Sequence, residues 1–266
     1  MEKVTREVYQ KINNEVYKAD GDIWWKPDTI LHLLKTSVNP WRVSYAKDII
    51  QREGIDPKGK TALEVGSGGG ILTEEIAKMG FRTRGIDPAD QSVVTASNHA
   101  KASGLDIRYE KGVGERLPYG DASFDIVFCC DVLEHVQDLP KVISEISRVL
   151  KPGGVFIYDT VNRTFISKIV AIKIWQEWKR WAFMPPHIHV WEMFIRPGDI
   201  KILLQKNGFE WKEHKGSSPN VSIPTMLGYL RKRAKGKWTY EDLGKNFWLV
   251  ESKDMNILYA GYAIKK

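Results

Sequence analysis

The 266-residue sequence predicts an α/β fold with a mostly parallel sheet and helices on both faces. Three observations predict it. A short apolar run at Ala62, Leu63 and Val65 breaks into Gly66, Gly68, Gly69 and Gly70 before the helical pattern Ile71, Leu72, Ile76, Ala77, which reads as strand, glycine loop and helix. A second strand over 82–86 is closed by Asp87. Strands at 61–65, 82–86, 107–111, 124–130 and 154–160 are interleaved with helices at 71–79, 90–103 and 138–150, which implies successive βαβ units.

Ahead of the sheet, residues 1–50 read as a helical cap: Tyr9, Ile12, Val16 and Tyr17 recur at helical spacing, and a further helix runs through Tyr45 and Ile49. The sheet domain takes 51–161 and 199–266, ending in a helix at 197–207, a strand at 209–215, a basic helical segment at 221–235 and a strand at 255–264. Residues 162–198 break the alternation as an insertion. Gly66, Asp87, Gly114-Glu115 and Asp131 all fall at carboxyl ends of strands, where parallel α/β sheets bind ligands.

Composition narrows the compartment and the partners. Cys129 and Cys130 are the only cysteines and sit in an apolar strand, which excludes a disulfide framework. The first residues lack a signal peptide's apolar core, and no uncharged apolar run of about 18 residues exists to span a bilayer. A cytoplasmic protein, soluble or peripheral to the membrane, is expected. The net charge of +7 is uneven: residues 1–150 carry 20 Lys and Arg against 23 Asp and Glu, whereas residues 151–266 carry 20 against 10 and seven of the ten tryptophans. A basic, tryptophan-rich half suits an anionic partner, a membrane surface or a nucleic acid. Aromatics are not interleaved within the run Arg231-Lys-Arg-Ala-Lys-Gly-Lys237, so nucleic acid is the weaker choice.

The glycine loop lets the backbone touch a ligand, and the helix behind it offers unpaired N–H groups to an anion. Asp87 suits a ribose in dinucleotide and methionine-adenosine cofactors alike. Glu64 stands where a dinucleotide fold usually has an apolar residue. The spacing Glu64-x-Gly66-x-Gly68-x-Gly70 resembles the first motif of Rossmann-like S-adenosylmethionine-dependent methyltransferases. The planar fork of Arg42 matches a carboxylate, such as that cofactor's methionine end carries, although a solvated or helix-capping arginine reads equally well.

Trp24-Trp25, His32, Asn39-Pro-x-Arg42-x-x-Tyr45, the loop itself, Gly85-Ile-Asp87, Leu133-Glu-His-Val136, Lys151-Pro-Gly-Gly154, Asn162-Arg163, His189 and Phe194-Ile195 extend the resemblance over nearly the whole chain. The sequence is similar to the ubiquinone-biosynthesis O-methyltransferases, the 3-demethylubiquinone 3-O-methyltransferase group. That resemblance implies a class I fold with a seven-stranded sheet and places Arg42, Glu64, Gly66, Ser67, Gly68, Asp87, Pro88, Gly114, Glu115 and Cys130 around S-adenosylmethionine, with S-adenosylhomocysteine as product. The chain departs from the family pattern in a longer stretch between His32 and Asn39, in Val113 where many superfamily members carry an adenine-binding Asp, and in an extended basic tail over 220–254.

Asp131, Glu134 and His135 would share one face if helical, and could hold a divalent ion such as magnesium or zinc that lowers the pKa of a catechol-like hydroxyl. The bland alternative is a histidine that packs near the cofactor or works as a base. His135, His189 and Glu134 are the candidate catalytic residues. In the insertion, Ile166, Ile169, Val170, Ile174, Trp175, Trp178 and Trp181 form an apolar face with Lys168, Lys173, Lys179 and Arg180 beside it. Segment 165–183 therefore reads either as a lid or as a contact with an anionic membrane. The expected reaction is methyl transfer to an oxygen of a small, aromatic, apolar acceptor. Methylation of an N-, S- or C-nucleophile is the alternative, and a nicotinamide-dependent oxidoreductase shares the loop and Asp87.

Overall fold

A computed structural model describes residues 3–18, 21–178 and 184–266 of the chain. Eight strands form one sheet: β1 Thr61–Val65, β2 Arg82–Asp87, β3 Arg108–Lys111, β4 Phe124–Cys130, β5 Leu150–Val161, β6 Phe209–Pro219, β7 Leu249–Ser252 and β8 Leu258–Lys265. Their order is β3-β2-β1-β4-β5-β8-β6-β7. The first five run parallel, whereas β8 is antiparallel to both β5 and β6, and β7 is antiparallel to β6. The order reverses between β1 and β4, so their carboxyl ends open a crevice.

The helices, in chain order, are α1 Arg6–Tyr9, α2 Asn39–Arg52, α3 Ile71–Lys78, α4 Asp90–Ala102, α5 Leu139–Val149, α6 Phe165–Ser167, α7 Pro197–Lys206, α8 Ile223–Ala234 and α9 Tyr240–Asn246. Helices α5 and α7 cover one sheet face, packing Val142, Ile143, Ile146, Leu203 and Leu204 on Leu63, Val127 and Phe156. Helices α2 and α3 cover the other, packing Trp41, Tyr45, Ile49, Leu72 and Ile76 on Ala62, Ile126 and Phe128. Alternate residues of β1 and β4 thus enter opposite cores, which is why these strands read as continuous apolar runs.

The sheet has one strand more than the expected seven. Leu249–Ser252 pairs with Gly216–Pro219, because β6 continues four residues beyond the strand expected at 209–215. The four-residue sequence Leu-Val-Glu-Ser has no strand signature of its own, and only its long-range partner makes it extended. The cap differs too. Near the start, Arg6–Tyr9 is α-helical, and 3₁₀ turns at Asn14–Lys18 and Gly21–Trp24 replace the helix expected through Val16 and Tyr17. Short segments rich in Asn and Gly gain too little from helix formation, and tertiary contacts set their shape. In the insertion, α6 continues as a π-helix, Lys168–Glu177. Lys179, Arg180 and Trp181 lie outside the described residues. Among the described residues, no helix is long and apolar enough to cross a membrane.

Candidate active site

The rim is built from the end of β1. Gly66 turns the chain at φ +76°, and Gly70 at φ +86° caps α3. The N–H groups of Gly66 and Ser67 donate to the Ile86 carbonyl at 2.8 and 3.0 Å. A side chain at Gly66 would collide with Val132, its Cβ only 2.2 Å from that residue's Cγ2. Glycine at this position therefore allows the β4 loop to close on the β1 loop. Asp87, at the end of β2, accepts from the Gly68 N–H at 2.9 Å and from the Ala89 N–H at 2.8 Å. Burial pushes its pKa up, against the pull of those two N–H groups. Glu64 accepts from the Thr73 hydroxyl, and burial raises its pKa to about 8. It is largely protonated at neutral pH and adds little negative charge beside the loop.

Arg42 reaches the same rim from α2, where β5 meets it. Asp159 accepts from Arg42 Nε at 2.6 Å and Nη2 at 2.9 Å, and Asp159 also accepts the Asp131 N–H at 3.1 Å. The Asp131 carboxylate pairs with Nη2. Burial opposes the guanidinium charge, and Asp131 and Asp159 more than offset it. The fork expected to meet a cofactor carboxylate is thus engaged by two acids of the protein through Nε and Nη2, and among the described residues Nη1 pairs with neither. Asp159 was not anticipated. An acid beside Thr160 inside the apolar run of β5 was the available signal.

Asp131 does not join the expected ligand set. Residues 131–136 are not α-helical: Asp131 has φ +53°, and only Leu133–His135 form a 3₁₀ turn. Its carboxylate is turned to Arg42, and His189 takes its place beside Glu134 and His135, the three offering ligand atoms within 4.8 Å of one another. Glu134 is buried behind the cavity wall, accepting from Thr160 Oγ1 at 2.9 Å and Val161 N at 3.3 Å, and burial lifts its pKa to about 8. Burial, and then the neighbouring His189, lower His135 to about 3; burial lowers His189 to about 4. Both imidazoles are neutral at physiological pH. Their ring centres are 5.2 Å apart, and Gln176 clamps the His189 backbone, accepting its N–H at 2.8 Å.

The cap closes over these groups. Trp24 covers the loop so tightly that a Cβ at Gly68 or Gly69 would lie within 2.5 Å of its ring system, and its indole donates to Ser92 Oγ at 3.1 Å. Trp25 donates to the Gly69 carbonyl at 2.8 Å. Tyr17 bridges the two ends, stacked on Trp24 and edge-on to His135. The Trp-Trp pair was visible in the sequence, but its use as a cover for glycines was not.

One continuous cavity of about 1130 Å³ joins the rim to an apolar arm. Glu64, Gly66, Ser67, Asp87, Pro88, Gly114 and Glu115 line its rim end, and Arg42, Cys130, Asp131, His135 and His189 line its middle. Gly68 is not on the wall, being sealed under Trp24. The arm is lined by Ile174 and Trp175 of the insertion and by Met226, Leu227 and Leu230 of α8. At the rim, Ser67 Oγ is buried without a hydrogen-bond partner among the described residues, as expected where a polar ligand belongs.

A parallel sheet that reverses its order at a glycine loop, with an acid closing the second strand, two features that nicotinamide-dependent enzymes share, suits a class I S-adenosylmethionine-dependent methyltransferase. Comparison with known proteins agrees. Residues 63–158 match the family model described as a methyltransferase domain. Two solved structures share the fold at low identity: a SAM-dependent methyltransferase from Aquifex aeolicus (TM-score 0.58, 15% identity, 94% of this chain and 100% of that one) and the magnesium protoporphyrin IX methyltransferase of Synechocystis PCC 6803 with bound SAH (TM-score 0.59, 16% identity, 92% and 91%). The ubiquinone biosynthesis O-methyltransferase of Azorhizobium caulinodans is 33% identical over 242 residues, 88% of this chain and 90% of that relative. The chain belongs to the ubiquinone biosynthesis O-methyltransferase family. With that membership the nicotinamide-dependent alternative falls.

Proposed function

We propose that this enzyme methylates an oxygen of a catechol- or quinol-type acceptor carrying apolar substituents. The observation that carries the reading is one cavity lined together by the rim groups, by two neutral histidines and by apolar residues of the insertion and α8. S-adenosylmethionine supplies the cationic methyl group. Asp87 and Ser67 are suited to its ribose and polar groups, and Nη1 of Arg42 to its carboxylate. The protein's chief task is to hold donor and acceptor collinear and to receive the acceptor's proton. His135 and His189 are unprotonated and can each accept a hydrogen bond from the acceptor hydroxyl, while the burial that keeps them neutral also opposes the imidazolium that full proton transfer would form. Methyl transfer from labelled donor to a catechol, an amine and a thiol tests this; incorporation into the amine or thiol with none into the catechol would refute it.

The donor set of Glu134, His135 and His189, two imidazoles and a carboxylate at ligand spacing, suits zinc, and magnesium, which prefers oxygen ligands, is the weaker choice. A bound ion would lower the acceptor hydroxyl's pKa from about 10. Activity lost on chelation and restored by either metal supports it, and undiminished activity in chelator excludes it. Contact with an anionic membrane is supported by Phe165 and Trp178, 75% and 57% exposed on the insertion, close to Lys168 and Lys173. Co-sedimentation with phosphatidylglycerol vesicles, absent with phosphatidylcholine, is the expected result.

A further inference from the structure

Two departures from the family pattern meet in one wall of the cavity. The lengthened stretch between His32 and Asn39 forms a π-helix, Leu34–Val38, a wide turn of the kind that accommodates extra residues and recurs at functional sites. The basic tail supplies α9, whose Gly244 lies against that turn. A Cβ there would be 1.9 Å from Thr36 Oγ1 and 3.3 Å from Ser37 Oγ. Each segment is shaped to the other.

At this junction the wall carries two polar side chains with nothing to bond. Ser37 and Asn39 are only 2% and 4% exposed, and both line the cavity. Ser37 Oγ and both amide atoms of Asn39 lack partners among the described residues. Leu34, Val38, Leu243 and Phe247 line the same cavity. Buried polar atoms are nearly always paired, and an unpaired set on residues that line a cavity points to a polar ligand group beside them.

We propose that Ser37 and Asn39 form a polar subsite for a further oxygen substituent on the acceptor ring, a hydroxyl or carbonyl beyond the two oxygens of the catechol or quinol itself. This rests on reading the cavity as the acceptor site. An amide and a hydroxyl together offer donors and acceptors, which suits an oxygen able to do both. The acceptor is the better occupant than the donor, because the rim groups suited to the donor lie at the ends of β1 and β2, whereas Ser37 packs on α9, whose Leu243 lines the cavity beside it. A site built to bond a substrate oxygen rejects the analogue lacking it far more strongly than an apolar pocket rejects a small change in size.

The test uses the full chain as wild type, Ser37→Ala and Asn39→Leu, with a 4-alkylcatechol and the 5-alkylpyrogallol that adds one ring hydroxyl. S-adenosylhomocysteine affinity is measured by calorimetry, and methyl transfer and probe binding are measured for each protein. Wild type is expected to prefer the trihydroxy probe at least about tenfold in kcat/KM, the preference falling to near unity in Asn39→Leu and by about threefold in Ser37→Ala. S-adenosylhomocysteine affinity should stay within about twofold, and the melting temperature of Asn39→Leu should not fall, since an unpaired buried amide has been replaced by an apolar group of similar size. Equal treatment of the probes by wild type, or an undiminished preference in a folded variant, overturns the subsite. Weakened S-adenosylhomocysteine binding with preference retained overturns it in favour of a donor role. If Asn39→Leu does not fold, Ser37→Ala decides alone. A wild type that binds S-adenosylhomocysteine but neither binds nor methylates either probe refutes the acceptor reading itself.

Discussion

The rim end of the cavity and its apolar arm are built on opposite principles. At the rim, regular strands and helices deliver polar groups that mostly bond one another: Asp87 to the Gly68 and Ala89 N–H groups, Glu64 to Thr73, and Asp159 to Arg42 and the Asp131 N–H. Along the arm, π-helices and the C-terminal helices supply an apolar lining, with the polar side-chain atoms of Ser37 and Asn39 unpaired among the described residues. On the proposed reading, a donor shared by a whole superfamily would be met by a preorganised rim, and the acceptor by segments that can vary without disturbing the sheet.

The largest effect that would sharpen this contrast is on stability. Asp159→Ala strips the buried Arg42 of its bidentate partner and should cost about 3–5 kcal/mol, read by denaturant unfolding; a loss below ~1 kcal/mol would show that the rim is not held by this pair. Next, His189→Ala should lower kcat about a hundredfold or more while S-adenosylhomocysteine affinity changes little. Equal losses in both would erase the division between the two ends. Asp87→Ala removes the acceptor of the Gly68 and Ala89 N–H groups and should weaken S-adenosylhomocysteine binding by roughly tenfold to a hundredfold. Retained affinity in a calorimetric titration would break the assignment of the rim.

The smallest effect concerns pH. Glu64 holds its proton up to about 8 in the folded protein against an ordinary value of 4.5, so raising the pH between these values favours the unfolded chain. His135 and His189, lowered from 6.5 to about 3 and about 4, act in the opposite sense, stabilising the fold as pH rises towards 6.5 and contributing no slope above it. Between pH 6.5 and 8 the acids alone remain, Glu134 acting with Glu64. Ligand-free protein should therefore lose stability over that interval, and Glu64→Gln should recover on the order of 1–2 kcal/mol at pH 8. A slope identical in the variant would contradict the burial of that charge.

Most of the sheet was legible because its signals are local. The apolar runs at 61–65 and 124–130 coincide with β1 and β4, and the helices expected at 71–79 and 90–103 end within a residue of α3 and α4. The glycine loop and the acid closing β2 were legible for the same reason, since a tight turn and a strand end each need particular residue types at one place in the chain. The expected helical face of Asp131, Glu134 and His135 was not, because three residues cannot announce that tertiary contacts will hold them in a 3₁₀ turn and a left-handed bend.

By itself, then, the sequence determined the alternation of strands and helices, the loop and acid of the rim, and the family, all of which are written in spacing along the chain. Only the tertiary structure decided that the Arg42 fork meets Asp159 and Asp131, that His189 replaces Asp131 beside Glu134, that a short tail segment becomes an eighth strand, and that the π-helical turn Leu34–Val38 and a C-terminal helix share one wall. Those outcomes depend on which partners lie across space. Nothing in local backbone preference encodes the partner of a buried charge or of an edge strand; packing of distant segments sets it.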